Sequence, residues 1–407
     1  MIVNIEDLRQ RASRRLPKAV FDYVEGAAED GFTAGANRRG FDRYLFRARS
    51  LVDVSVVDRS TTVLGEKLAT PLILGPTGLA GLLAPRGEEL AAKGAASRGA
   101  LFTLSTMSIG TIEEVAAAAP SPLWFQLYVW RDRGVTRSLV ERAKAAGYRA
   151  LCLTVDVPAM GNRENDRRNG FTIPPRLTFT NMLDVFRHLG WVLRMSSSPR
   201  ATFGNFVDVP ALKRTDAVSV AQFTNSQFDP SVTWKDVEWL RTVWPGPLVL
   251  KGISCAEDAR RAVELGVEAL IVSNHGGRQL DFLPGAVDVL PEVVDAVAGR
   301  SEVILDGGIR RGSDVVKAIA MGARACMIGR PFLYGLAANG QAGVELALDI
   351  LSKEIDRTLA LLGRPRLADL DRSALRVDAP ALLDTPSSPL RLMDGARRLP
   401  ADGTHGG

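Results

Sequence analysis

The residues with most to offer chemically lie at 273–281, Ser-Asn-His-Gly-Gly-Arg-Gln-Leu-Asp. His275 carries an imidazole that can accept a proton near neutral pH. Arg278, three residues on, carries a planar guanidinium that can grip a carboxylate through two parallel hydrogen bonds. Gly276 and Gly277 let the backbone turn sharply and let a ligand approach without a Cβ in the way. Just before them, residues 269–272 form a short apolar, partly β-branched run that predicts a buried strand. A base and a fixed cation on the rim of a strand suit a substrate with both an acidic proton and a carboxylate. A histidine at a strand end is often only structural. The chain has three histidines, however, and His188 and His405 lack this setting of glycines and a following arginine.

Two further stretches point to a phosphate. Asp306-Gly307-Gly308-Ile309-Arg310 and Gly329-Arg330 follow apolar runs and are rich in glycine, so bare backbone N–H groups and a helix start can face an anion. Arg310 and Arg330 add positive charge, and Asp306 can accept from the hydroxyls of a sugar or ribityl chain. Tight turns alone would also use glycine. No GxGxxG follows the first strand, which argues against a dinucleotide fold, and no HExxH or CxxC cluster calls for a metal.

The elements that must position these groups alternate. Strands are expected at 71–77, 101–106, 123–129, 150–157, 247–253, 269–272, 302–309 and 325–329. Helices are expected between them at 87–99, 112–119, 135–147, 234–243, 256–266, 287–297 and 312–321, with a closing helix at 343–362. Strands apolar nearly throughout belong to parallel sheets covered on both faces. Eight such units predict an α/β chain closing into a (β/α)8 TIM barrel, with a doubly wound open sheet as the alternative. A barrel should gather its chemistry at the C-terminal strand ends. Those ends carry Thr77, Gly78, Ser105, Gln126, Tyr128, Thr154, Asp156, Lys251, Ser273, His275, Arg278, Asp306, Gly308, Gly329 and Arg330.

The first seventy residues read as helices forming a cap, with Asn4 an N-cap and Pro17 starting a second helix that holds Tyr23. Residues 159–232 interrupt the alternation after the fourth strand, where insertions are often lids or interaction elements. Within them, 182–195 has an apolar face of Met182, Val185, Phe186, Leu189, Val192 and Leu193. Packing on the barrel or on a neighbouring subunit is the expected use of that face, and contact with a membrane surface is the alternative. Residues 1–376 are expected to form one domain, and 377–407 a mobile tail rich in Ala, Pro, Ser, Asp and Gly.

Composition narrows the class. With 407 residues, 46% hydrophobic and 24% charged, the chain reads as an ordinary soluble globular protein. A net charge of +5, much of it dispersed, gives no argument for nucleic acid. Cys152, Cys255 and Cys326 have no paired spacing and fit buried thiols in a reducing compartment. The N-terminus lacks a signal-peptide pattern and no apolar run reaches about eighteen residues, so a cytoplasmic protein is expected.

The stretch 273–281 resembles the active-site signature of the FMN-dependent α-hydroxy-acid dehydrogenases and oxidases. The resemblance covers roughly residues 4–375 and recurs at Phe21-Asp22-Tyr23, Pro76-Thr77-Gly78, Gln126-Leu127-Tyr128, Thr154-Val155-Asp156, Arg163, Lys251-Gly252 and Asp306-Gly307-Gly308. It implies oxidation of an (S)-2-hydroxy acid to the 2-oxo acid with reduction of FMN. It implies that His275 is the base, oriented by Asp156, and that Arg163 and Arg278 clamp the carboxylate with help from Tyr23 and Tyr128. Lys251 would face the N1/C2 edge of the flavin. Thr77, Gly78, Ser105, Gln126, Thr154 and Ser273 would surround the ring, and Asp306, Gly308, Arg310, Gly329 and Arg330 would hold ribityl and phosphate. Gly78, where many relatives have Ala, looks most like mandelate dehydrogenases. Segment 182–195 resembles the loop by which some of those relatives attach to membranes and pass electrons to quinones. Oxygen, a quinone or another carrier would take the electrons, and a homotetramer is expected. The stretch 335–341 also resembles a branch that modifies a peptide-derived redox cofactor. That branch tends to lack the signature arginine, which ranks a small hydroxy acid above a peptide. A phosphate-binding barrel without catalysis and another FMN chemistry, such as isomerisation, complete the alternatives.

Overall fold

Eight apolar runs form the expected strands: β1 (Leu72–Leu74), β2 (Leu101–Ser105), β3 (Leu123–Leu127), β4 (Ala150–Thr154), β5 (Leu248–Ile253), β6 (Ala269–Val272), β7 (Glu302–Asp306) and β8 (Ala325–Ile328). They appear in a computed structural model that describes residues 1–119, 121–170, 184–200, 202–206 and 226–377. Every neighbouring pair is parallel, and β7 pairs with both β6 and β8, so the sheet closes into a barrel. The (β/α)8 expectation holds and the open-sheet alternative falls.

Both faces of each strand are buried, which explains the lack of alternation in the sequence. Ile73, Trp124, Cys152, Val249, Ile271 and Met327 fill the barrel interior. Leu72, Leu74, Phe125, Leu151, Leu250 and Leu270 pack outward. The covering helices are α1 (Gly87–Ser97), α2 (Ile112–Ala118), α3 (Arg133–Ala145), α4 (Trp234–Val243), α5 (Ala256–Glu264), α6 (Ala286–Val297), α7 (Gly312–Ala320) and α8 (Arg330–Leu362). Local chemistry sets several of their starts. Thr111 with Glu114 and Thr233 with Asp236 form capping boxes, and the Asp132 side chain caps α3.

Several boundaries differ from expectation. Six of the eight strands stop one to three residues earlier than expected. Helix α8 begins at Arg330, thirteen residues before the expected start, and Asn339 and Gly340 break its dihedrals. The run of Gly, Ala and Asn at 335–343 interrupts the helical pattern there. An unpredicted hairpin, Thr61–Val63 with Glu66–Leu68, sits under the barrel. Its Val63 and Leu68 join the interior cluster, and Leu64 N–H donates to Glu302 at the start of β7.

The cap consists of helices Ile5–Arg15, Lys18–Glu25 and Phe32–Arg39. The short strand Tyr44–Phe46 pairs antiparallel with Leu375–Val377. Val377 is therefore part of the packed body rather than the first residue of a tail, and 378–407 lies outside the described residues. Of the expected apolar face at 182–195, Met182 also lies outside them. Of the rest, Phe186, Leu189 and Leu193 are exposed and Val185 and Val192 half-buried, while Trp191, at the border of that face, packs inward and donates to Leu82 O at 2.9 Å. Among the described residues no helix is long and apolar enough to cross a membrane.

Candidate active site

At the C-terminal mouth, the ends of six consecutive strands contribute one polar belt. Ser105 Oγ donates to Gln126 Oε1 at 3.2 Å, and Gln126 Nε2 donates to Thr154 Oγ1 at 3.0 Å. Thr154 is paired in register with Lys251. Lys251 Nζ donates to Ser273 Oγ at 3.0 Å and lies 2.9 Å from Asp306 Oδ2, to which Ser273 Oγ also donates at 2.8 Å. Parallel register places these residues side by side, each at or near the top of its strand. Lys251 is buried, which opposes its charge. Asp306 and Asp156 more than offset that penalty and raise its pKa, so it is a fixed cation in the belt.

His275 stands above the belt. Its Nδ1 lies 2.9 Å from Asp156 Oδ1, while the second oxygen of Asp156 is buried without a hydrogen-bond partner. Burial would push the Asp156 carboxyl up, but His275 and Lys251 hold it below its ordinary value. His275 moves the other way. Desolvation lowers its pKa against the pull of Asp156, with Lys251 and Arg163 adding to the lowering. The result is a neutral imidazole at neutral pH, with Nδ1–H assigned to the carboxylate and Nε2 left as the acceptor. The backbone at His275 is left-handed, φ +56°, and the same hand continues through Gly276 and Gly277. That conformation costs a non-glycine residue roughly 1–3 kcal/mol and is held by His275 N–H donating to Ser273 Oγ at 3.0 Å. Gly252, at φ +109°, makes room beneath the pair, since a Cβ there would meet the Cβ and Cγ of Asp156 at 2.7 Å.

Cations converge on the same space. Arg163 donates from Nε to Arg278 O at 3.3 Å and from Nη2 to Gln279 Oε1 at 3.0 Å. Arg278 Nη1 donates to Tyr23 O at 2.7 Å and to Gly26 O at 2.9 Å, and its guanidinium stands 5.0 Å from the Tyr23 ring centroid. Burial, then Arg163, pulls the Arg278 pKa down to about 9. Cations so placed favour an incoming anion. Tyr23 Oη donates to Gly78 O at 3.2 Å. Tyr128 is pushed up by burial and then by Asp156, so its phenol keeps its proton.

The structure thus brings Tyr23, Tyr128, Asp156, Arg163, Lys251, His275 and Arg278 to one mouth with Ser105, Gln126, Thr154, Ser273 and Asp306. Thr77 and Gly329 are adjacent: a Cβ built on Gly329 would meet nothing nearer than Thr77 Cγ2 at 3.8 Å, so its backbone is open to a ligand. Gly308 is left-handed and packed against Asn37. Arg310 N–H donates to Asp314 at 2.9 Å, and its guanidinium lies 5.9 Å from the Tyr334 ring centroid. The Arg330 side chain is spent differently from expectation, on backbone carbonyls of 24–26 and 276.

Other residues of the site had no assigned part in the sequence reading. Gln279 accepts from Arg163 and donates to Asp156 O at 3.3 Å and Ala159 O at 2.9 Å, tying the start of the insertion to the His275 turn. Asp281 accepts from the N–H groups of Phe32 and Thr33 and anchors their helix. Both lie within the signature itself, so proximity was the available signal. Asn37 pairs with Asn274 at 2.8 Å across 237 positions, for which the sequence carries no local sign.

The sequence pattern of the FMN-dependent dehydrogenases matches residues 12–377. The chain belongs to that family. It is 45% identical to L-lactate oxidase of Nostoc sp., over 92% of this chain and 98% of that one. It is 41% identical to glycolate oxidase 1 of Oryza sativa subsp. indica, over 94% and 97%. Among solved structures, the monotopic membrane protein (S)-mandelate dehydrogenase aligns with a TM-score of 0.89 at 40% identity, covering 93% of this chain and all of that one. A mandelate oxidase solved with (S)-4-hydroxymandelic acid aligns at 0.79 and 38%, covering 92% and 98%. The protein is therefore an oxidoreductase of the flavoprotein type with FMN as its cofactor, and the donor set fits. A flat ring edged with oxygen and nitrogen suits a belt of amide, hydroxyls and one cation. A phosphate suits the exposed backbone at Gly329 with Arg310 nearby.

Proposed function

We propose that the chain oxidises an (S)-2-hydroxy acid of mandelate or lactate type to the 2-oxo acid. The observation that carries this is the neutral His275, held by Asp156 at 2.9 Å among Arg163, Arg278, Tyr23 and Tyr128. Arg163 and the remaining N–H groups of Arg278 bind the carboxylate, and the hydroxyls of Tyr23 and Tyr128 orient it. His275 Nε2 takes a proton from the substrate, and Asp156 stabilises the imidazolium that forms. FMN, when bound, would accept the two electrons and the second proton that the alcohol gives up. Lys251 supplies fixed positive charge where negative charge then develops. Thr77, Gly78, Ser105, Gln126, Thr154 and Ser273 surround the ring, and Asp306, Gly308, Arg310 and the backbone of Gly329 and Arg330 hold ribityl and phosphate. The similar proteins act, by their names, on lactate, glycolate and mandelate; none is named for a peptide, so the peptide-modifying alternative gains no support.

An anaerobic absorbance spectrum before and after (S)-mandelate, L-lactate and glycolate tests the reading. Bleaching of the yellow band by one of them is expected; a flavoprotein that none of them bleaches would overturn it. We further read residues 1–377 as one FMN-binding unit, with 159–232 inserted. Exposed Phe186, Leu189 and Leu193 support peripheral contact with the inner face of a membrane in an otherwise cytoplasmic homotetramer, with oxygen, a quinone or another carrier as electron acceptor. Flotation with anionic vesicles, lost on exchanging those three residues for Ser, tests the contact.

A further inference from the structure

Arg330 is the first residue of α8, directly after the Gly329 turn. Its side chain makes four hydrogen bonds, all to backbone carbonyls. Nε donates to Val24 O at 3.0 Å, Nη2 to Glu25 O at 3.3 Å and Gly26 O at 2.8 Å, and Nη1 to Gly276 O at 3.1 Å. Two of these acceptors are the last carbonyls of helix Lys18–Glu25 and a third is that of its C-cap, Gly26, the end of a helix that lacks internal donors and attracts cations. The fourth belongs to the residue after His275. One planar guanidinium therefore joins the helix that carries Tyr23 to the turn that carries the base.

The neighbouring bonds make this a junction. Arg278 covers Tyr23 O and Gly26 O, so two arginines satisfy four consecutive carbonyls. Just beyond, Ala28 N–H donates to Gly277 O at 2.8 Å and Glu29 N–H to Asn162 O at 3.0 Å. The Glu25 side chain accepts from Tyr334 Oη, one turn further along α8, and from Arg9 Nε. Segment 23–29 lies outside the barrel. Its position relative to His275, Arg278 and the start of the insertion is set by these contacts.

We infer that Arg330 is a positioning residue for the substrate site: its side chain locks the Tyr23 helix to the His275 turn, and its backbone serves the phosphate end of the cofactor site. This inference rests on the function proposed above. Lysine at 330 retains the charge but cannot present a planar fork to four acceptors at once.

Arg330→Lys separates this role from direct phosphate binding. FMN affinity, read by quenching of flavin fluorescence, should stay within about threefold of the parent, since charge and backbone are retained. In the FMN-loaded variant, KM for the hydroxy acid and Ki for its 2-oxo acid product should rise together by roughly tenfold or more, because a small misplacement of the clamp is costly. Hydrogen exchange at the amides of Ala28 and Glu29 should also quicken with FMN bound. Loss of FMN affinity with unchanged KM and unchanged exchange would overturn the proposal and return the side chain to the phosphate. Should Arg330→Lys fail to fold, Tyr334→Phe cuts the companion contact to Glu25; faster exchange at 28 and 29 supports the junction, and unchanged exchange overturns it. If no hydroxy acid reduces the parent enzyme, the functional reading fails, while exchange and FMN affinity still decide the role of Arg330.

Discussion

The chemistry rests on a histidine that must be neutral. Because desolvation sets the His275 pKa below its ordinary 6.5, kcat/KM should be flat above that value and fall about tenfold per pH unit below the lowered pKa. Asp156 contributes a raising influence, so Asp156→Asn should shift this acid limb to still lower pH while reducing kcat by roughly 10²–10⁴. A limb that moved upward in the variant would contradict the assignment. The same shift has a sign for stability. The unfolded chain binds the proton first as pH falls below 6.5, so the stabilisation present above that pH is lost on acidification. Lys251 gives a second residue-scale expectation. Replacing it with Met leaves Asp306 without its cation in a largely buried site and should cost ~3 kcal/mol in denaturant unfolding, with weaker FMN binding. Most of these groups were legible in the sequence as polar residues interrupting apolar runs. Gln279 and Arg330 were legible as residues but not as contacts, since their partners lie more than 50 positions away.

At the scale of elements, the strands were readable because their burial on both sides leaves a continuous apolar signature. Their ends were not, because apolar residues such as Val155 and Ile309 prolong the run past the last residue of the strand. The long final helix was half hidden for a different reason: small residues and a break at Asn339 and Gly340 interrupt its pattern, and Gly335 meets Gly343 so closely that a Cβ on either would overlap the other's backbone. The hairpin at 61–68 was missed because three-residue strands carry no period. Gly252 ties element to site. Its left-handed backbone lets β5 leave the register after Lys251 and opens the place that Asp156 fills. Gly252→Ala should lower both stability and kcat, with FMN still bound. Unchanged turnover in that variant would show that Asp156 does not need this niche.

For the molecule as a whole, the arrangement is layered by distance from the mouth. The belt of strand ends lies deepest, the His275 turn above it, and the Tyr23 helix and the insertion above that. The sequence disclosed the belt, since it recurs with every strand, and disclosed the insertion as an interruption. It could not disclose how the cap is fastened, because the junction at 23–26 is made of arginine bonds to backbone carbonyls, which every residue type offers equally, and the remaining side-chain contacts join residues far apart in the chain.

The hairpin beneath the barrel has a kinetic meaning. With Val63 and Leu68 closing the lower end and side chains filling the interior, the described residues leave the C-terminal mouth as the door to the site. Hydroxy acid, oxo acid and electron acceptor must use it in turn. Initial rates with both substrates varied should therefore give parallel lines in double-reciprocal form, and high hydroxy acid should slow turnover by occupying the doorway before the acceptor arrives. Intersecting lines, which require the acceptor to react while the acid is still bound, would mean that electrons leave by another route.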